Sequence, residues 1–211
     1  MHHAIPKVFA KQVSIVTIIS HVAEQKLISS DKLSKPLGKR DQAMLLLALR
    51  LGLRQSDIVG LKFNNINWQN DTITFIQKKT KVEITLPLLT DIGNAIMDYI
   101  LNSRADSNAE EIFLRGYAPY KAMTPDSASK ISLKYLSEFD SNDCPEKGFH
   151  ILRRTAATKL FENNVPSSVI SASLGHLDPN SADVYLSTDS KKMRKCALDL
   201  YGIKCTREDL Q

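Results

Sequence analysis

The residues of this chain whose types and spacing could carry chemistry gather late in the sequence, as His150-Ile151-Leu152-Arg153-Arg154-Thr155, then Leu174-Gly175-His176, then Val184-Tyr185-Leu186. If 149 to 163 is a helix, His150 and Arg153 stand at i and i+3. They then share a face near its N-terminus, where unpaired N–H groups and the dipole favour an anion. The natural guest is a phosphate. His176, and Tyr185 nine positions after it, then offer a proton-handling group and a phenolic nucleophile for that phosphate.

Phosphate chemistry sets further demands. Attack on a phosphodiester builds a five-coordinate centre with extra negative charge on its non-bridging oxygens, so fixed cationic donors must be aimed there. Arg54 and Arg153 offer planar, permanently charged forks that lysine cannot copy. Losing one such donor costs on the order of 10²- to 10³-fold in rate. Plainer readings stand beside these. Arg54 is also a surface charge behind a helix C-cap, His150 a structural hydrogen-bonding group, His176 a loop histidine and Tyr185 a core tyrosine with its hydroxyl at the rim. Arg154 competes with Arg153 and otherwise reads as a surface residue. A phenol with a pKa of about 10 is a poor nucleophile at pH 7, so Tyr185 needs neighbouring cations. Tyr99, Tyr117, Tyr120, Tyr135 and Tyr201 lack that context and read as structural.

The elements that must position these residues follow from hydrophobic period and capping. Val13, Val16, Ile19 and Val22 predict a helix over 12 to 26, followed by a Lys/Ser-rich loop from Ser29 to Arg40. A buried helix runs from Asp41 to a left-handed stop at Gly52, leaving Arg54 just beyond it. Ser56 is a cap for a short helix with Asp57 in its first turn. Between 66 and 88 the period changes to two: Ile73 and Phe75, then Val82, Ile84 and Leu86, flank a basic turn at Gln77-Lys78-Lys79-Thr80-Lys81, with a short strand before them near 66 to 68. Helices follow from Thr90 through Ile100, from Thr124-Pro125-Asp126 through Phe139, from about His150, from Val165-Pro166-Ser167 to Gly175, from Asp178-Pro179 through Tyr185, and from Ser190 to Leu200. The fold class expected is α+β, mainly α-helical, with a small three-stranded antiparallel sheet, in one domain.

Composition sets the outer limits. The chain has 211 residues, 43% of them hydrophobic and 24% charged, as an ordinary globular domain has. The net charge of +5 permits nucleic acid without demanding it. Cys144, Cys196 and Cys205 form no CxxC pair, which argues against a disulfide framework or a zinc site and for a reducing, cytoplasmic setting. The longest apolar run, 43 to 53, contains Arg50 and is too short to span a bilayer. No Gly-rich phosphate loop, HExxH or acidic ligand cluster is present, so no cofactor or metal is expected.

Taken together these boxes resemble the catalytic domain of the tyrosine site-specific recombinases, the phage integrase family, over about residues 5 to 200. Gly52-Leu53-Arg54-Gln55-Ser56-Asp57 is similar to the first-arginine box, Lys79 to Pro87 to the β-hairpin lysine box, His150 to Arg153 to the HxxR box, and Leu174-Gly175-His176 with Tyr185 to the last box. The resemblance implies that Tyr185 attacks and forms a 3′-phosphotyrosyl intermediate with a free 5′-hydroxyl, without ATP or a divalent ion. It further implies that Arg54, His150, Arg153 and His176 hold the phosphate, that Lys79 protonates the leaving oxygen and that Asp57 supports the site. Lys78 and Lys81 compete with Lys79 and otherwise contact DNA, as does Arg154. The partners implied are double-stranded DNA and copies of the same chain, monomeric when free and tetrameric in a synapse, with no membrane. The activity implied is integration or excision of a mobile element. The expected extent is one catalytic domain over 1 to 211 with a tail at 201 to 211, the family's N-terminal clamp domain being absent. A type IB topoisomerase and a DNA-binding module that has lost cleavage are the rival readings.

Overall fold

The computed structural model describes residues 16–175, and the helices expected around Tyr185 and from Ser190 lie outside the described residues. Within that range the chain is mostly helical with one three-stranded antiparallel sheet, the class that the two hydrophobic periods predict. Helix α1 is His21–Ile28, α2 Pro36–Leu51, α3 Gln55–Ile58, α4 Thr90–Asn102, α5 Pro125–Leu136, α6 Phe149–Glu162 and α7 Ser167–Leu174. Strands β1 (Ile66–Asn67), β2 (Thr72–Ile76) and β3 (Glu83–Pro87) follow one another in space as in sequence.

The core is built around α2. All seven residues from Ala43 to Leu49 are buried, so this helix is apolar on every side and must be surrounded. Helices α4 and α6 pack against it and supply the cover. Its start corrects the sequence reading: α2 begins at Pro36, because proline at the first helical position presets φ and has no N–H to leave unpaired. Asp41 lies mid-helix, where its Oδ1 accepts from Nε and Nη2 of the buried Arg40 at 3.0 and 2.7 Å.

The expected helix over 12 to 26 is also corrected, since residues 16 to 20 are not helical and α1 starts at His21. Ser20 ends the non-helical stretch: its hydroxyl accepts the Ala23 N–H at 3.1 Å and its own N–H donates to the Asp143 carbonyl at 2.8 Å. Val16 and Ile19 are buried on α6, with the Ile19 N–H donating to Thr155 Oγ1 at 3.1 Å, while Val22 is exposed. A three-residue apolar spacing thus arose from a segment laid along a helix. Smaller differences follow local chemistry. Arg54 rather than Ser56 is the N-cap of α3, and α5 is capped by Thr124 as expected but stops at Leu136, short of Phe139.

In the sheet, Ile73 faces Leu86 and Phe75 faces Ile84, and all four are buried. Helix α7 docks on α6 through Val16, Ala157, Phe161, Ile170 and Leu174, and ends at Gly175 with a left-handed φ of +63°. At roughly 1.5–3 kcal/mol per buried large apolar side chain, this small cluster is what fixes where the last carbonyls of α7 sit.

Two expected outcomes follow. Glu146, just ahead of α6, accepts from the Thr17 hydroxyl at 2.5 Å, forms an ion pair with Arg154 and hydrogen-bonds His150 Nε2, tying the start of the described chain to the N-terminus of α6. Arg154 first, then Thr17 and His150, hold its carboxyl at about 2, well below the usual 4.5 and against the opposing effect of partial burial. A depressed folded-state pKa gives stability that is complete above the unfolded value and lost as pH falls through the folded one. Glu146→Gln is therefore less stable than the parent at pH 7, and the two thermal melting curves converge between pH 4.5 and about 2. The second concerns Gly52, whose φ is +64° and where a Cβ would lie 2.7 Å from Leu174 Cδ2. Gly52→Ala loses about 1–3 kcal/mol in urea denaturation.

Candidate functional site

The turn at Gly52 buries Leu53 and brings Arg54 out as the N-cap of α3. From the opposite side, Arg153 on α6 donates through Nη1 to the Gly52 carbonyl at 2.6 Å and through Nη2 to the Leu174 carbonyl at 2.9 Å. Arg54 reaches the same Leu174 oxygen with Nη1 at 3.3 Å, and the Gly175 carbonyl with Nη2 at 3.4 Å. Two cations remote in sequence therefore meet at the C-terminus of α7, where the helix dipole presents its negative end and offsets their mutual repulsion.

A third donor joins them. Gln77, almost wholly buried at 2% exposure, donates through Nε2 to Leu174 O at 2.9 Å and accepts from Arg54 Nη1 at 2.6 Å through Oε1. One carbonyl with two lone pairs thus faces three donors, and a guanidinium carries five N–H groups. Among the described residues Arg54 meets only neutral acceptors. Its charge is consequently not cancelled by a carboxylate and is available to an anion.

The hairpin after β2 is held from two sides. Asp57, buried at 3%, accepts the Lys78 N–H through Oδ1 at 2.9 Å, and the Gln77 carbonyl accepts the Lys81 N–H at 2.9 Å. Lys78, Lys79 and Lys81 are all exposed, but they differ in setting. The Lys78 ammonium lies over Gly60, 3.0 Å from where a Cβ would stand, and Lys81 occupies the left-handed region at φ 60°. Lys79 lies between these two anchors.

His150 stands in the first turn of α6, yet its ring is turned to Glu146 rather than to the two arginines. It folds back over Gly148, where a Cβ would come within 2.5 Å of its Nδ1. Arg154, beside Arg153, is half buried and paired with the same carboxylate. The structure thus brings Arg54 and Arg153 together and leaves His150 turned to Glu146. His176 and Tyr185 lie outside the described residues, His176 being the next residue after Gly175. Sequence reasoning missed Gln77, Glu146 and the carbonyls of Gly52 and Leu174. Gln77 had a signal: Ile73 and Phe75 point inward, and the same alternation carries position 77 to that face.

No group of three or more His, Cys, Asp or Glu able to hold a metal occurs among the described residues, and none of the described helices is long and apolar enough to cross a membrane.

Comparison with known proteins places this arrangement. The model of the phage integrase family matches residues 17–192. A putative integrase/recombinase, y4gC of Sinorhizobium fredii, is 33% identical over 176 residues, covering 83% of this chain and 91% of that protein. Tyrosine recombinase XerD of Listeria innocua is 29% identical over 175 residues, and this chain spans 57% of its length; for a second Sinorhizobium fredii relative, y4rA, the share is 46%. Among solved structures, XerH recombinase bound to its palindromic difH substrate after cleavage superposes with a TM-score of 0.71 at 17% identity, covering 87% of this chain and 53% of that one. The Tn1549 transposon integrase on transposon right-end DNA gives 0.68 at 14%, covering 90% and 68%. With a family model spanning most of its length and a relative a third identical along nearly all of that protein, the chain belongs to the phage integrase family of tyrosine recombinases.

Proposed function

We propose that this chain is the catalytic domain of a site-specific DNA recombinase that cuts and rejoins strands through a covalent 3′-phosphotyrosyl intermediate, in the integration or excision of a mobile element. The observation that carries the reading is the meeting of Arg54 and Arg153 at the Leu174 carbonyl, two positions before His176 in the sequence. Two fixed guanidiniums supply the charge that a five-coordinate phosphorane needs on its non-bridging oxygens. The integrases and recombinases among its relatives, including one solved on transposon DNA, support the mobile-element role.

In the reaction the Tyr185 phenol oxygen attacks the scissile phosphorus as its proton leaves, and the bond from phosphorus to the 5′ oxygen breaks. Lys79 delivers a proton to that oxygen, giving a 5′-hydroxyl. Arg54, Arg153, His150 and His176 bind the phosphate oxygens throughout, and rejoining reverses the steps with a 5′-hydroxyl from the partner strand. His150 reaches the phosphate by exchanging Glu146 for it. Asp57 acts through the hairpin, and Lys78, Lys81 and Arg154 face the DNA backbone. The enzyme works in the cytoplasm on double-stranded DNA, as a monomer that assembles into a tetramer across two sites.

The test is an adduct assay. Nicked duplexes with a randomised core are incubated with the protein in EDTA and resolved on a denaturing gel, and the captured sequences define the site. A covalent adduct forms and is abolished by Tyr185→Phe. Arg153→Lys keeps the charge but cannot span two carbonyls and a phosphate, so it slows adduct formation on the order of 10²- to 10³-fold. Absence of any adduct from the whole pool overturns the reading. Recombinant junctions formed from two duplexes then separate a recombinase from a topoisomerase, which only relaxes supercoils.

A further inference from the structure

The most connected side chain around Arg54 is one that the reaction just described does not use. Gln77 continues the inward face of β2 beyond Ile76 and is buried. Its main chain closes the hairpin, N–H to the Val82 carbonyl at 2.9 Å and carbonyl from the Lys81 N–H at 2.9 Å. Its amide oxygen accepts from Arg54 Nη1 at 2.6 Å and from the Thr80 hydroxyl at 2.7 Å, and its amide nitrogen donates to Leu174 O at 2.9 Å. The orientation of the amide is dictated by its neighbours, because a guanidinium only donates and a carbonyl only accepts.

The surroundings are shaped to this amide. At Gly175 a Cβ would stand 2.2 Å from Gln77 Oε1, so only glycine permits the approach, and the φ of +63° there asks for glycine as well. One side chain thereby joins the hairpin that carries Lys79, the Arg54 turn and the C-terminus of α7. Burying an amide is costly unless its polar atoms are bonded, and all of these bonds are made within the site.

We propose that Gln77 is a positioning residue of the strand-cleaving centre, acting through Arg54. It holds one Nη group by a neutral acceptor, which fixes the fork without cancelling the charge that the phosphate needs. A carboxylate at this place would hold the same nitrogen and cancel that charge, and would also set an acceptor against the Leu174 carbonyl. An apolar side chain would leave the fork loose. The inference rests on the recombinase reading above, and it adds a residue to which that reading gives no role.

The experiment is a double-mutant cycle in the full chain, on the DNA site captured from the randomised pool. Adduct formation at saturating DNA, DNA affinity and thermal melting are measured for the parent, Gln77→Met, Arg54→Ala and the double variant. Gln77→Met slows cleavage roughly 10- to 100-fold, the cost of a misplaced donor, while affinity changes by no more than about threefold. In the Arg54→Ala background the same change costs less than about twofold, because residues acting as one unit are not additive. Should Gln77→Met fail to fold, Gln77→Glu keeps the size and the acceptor to Arg54 and Thr80, and it too slows cleavage. A parental rate in either variant, or a loss that multiplies with that of Arg54→Ala, overturns the proposal. A parent that forms no adduct on any sequence is a different result: it removes the recombinase reading, and this inference falls with it.

Discussion

The carbonyl of Leu174 is the point on which the rest of the site depends. Three donors from three elements, Arg54, Gln77 and Arg153, converge on it, and none of the three is close to another in sequence. A hydrogen bond in a folded protein is worth only about 1 kcal/mol net, so these bonds do not determine where α7 lies. The apolar cluster of Val16, Ala157, Phe161, Ile170 and Leu174 does that, at roughly 1.5–3 kcal/mol for each large side chain. Packing therefore sets the position of the helix end, and the bonds set the direction of the forks. Gly175, in the left-handed region at φ 63°, closes the helix at that point.

The partners of the arginines separate those that hold the fold from those that remain available to a ligand. Arg40 spends two of its nitrogens on Asp41, and Arg50 is shared between Glu24 and Asp91, so both are paired with carboxylates. Arg154 is paired with Glu146. Arg104 meets neutral acceptors, but these are the carbonyls of Ala109, Glu111 and Ile112 within one loop, and its guanidinium stacks on Phe63. It organises that loop. Only at Leu174 do two guanidiniums meet around neutral oxygens among the described residues. An anion entering there gains from both charges.

Which parts of this were legible in the sequence follows from the range of the forces involved. The left-handed stop at Gly52, the Thr124-Pro125 start of α5 and the alternating strands are decided by neighbours a few residues away, and local chemistry gave them correctly. The start of α2 was equally local, and Lys35-Pro36 carried it, but the polar composition of 29 to 40 masked the signal. Residues 16 to 20 were a different case. Their apolar spacing is set by contact with α6, more than a hundred residues later, and spacing alone cannot tell a helix face from an extended segment laid in a groove. The two arginines were legible as types, since the chemistry demands forks, but Gln77 was read as the beginning of a polar turn. What hid it was composition: a polar residue next to three lysines looks solvated until the parity of the strand is followed one step further.

The proton transfer proposed for Lys79 asks that a lysine on an exposed loop be held in place. A side chain with four rotatable bonds loses rotamer entropy when it is fixed, on the order of 2 kcal/mol, so the main chain beneath it has to be rigid for the tip to be localised at all. The loop from Lys78 to Lys81 has that rigidity from both ends: Asp57 binds its first N–H, and Gln77 binds its last through the main chain and Thr80 through the amide. Histidine 150 illustrates the opposite arrangement. Glu146 has three partners, so in the proposed reaction the carboxylate keeps Arg154 and Thr17 when His150 turns to the phosphate, and giving up so exposed a pair costs on the order of 1 kcal/mol or less. The proposed site thus combines two arginines fixed by the fold, a lysine on a loop held at both ends and a histidine bonded to Glu146.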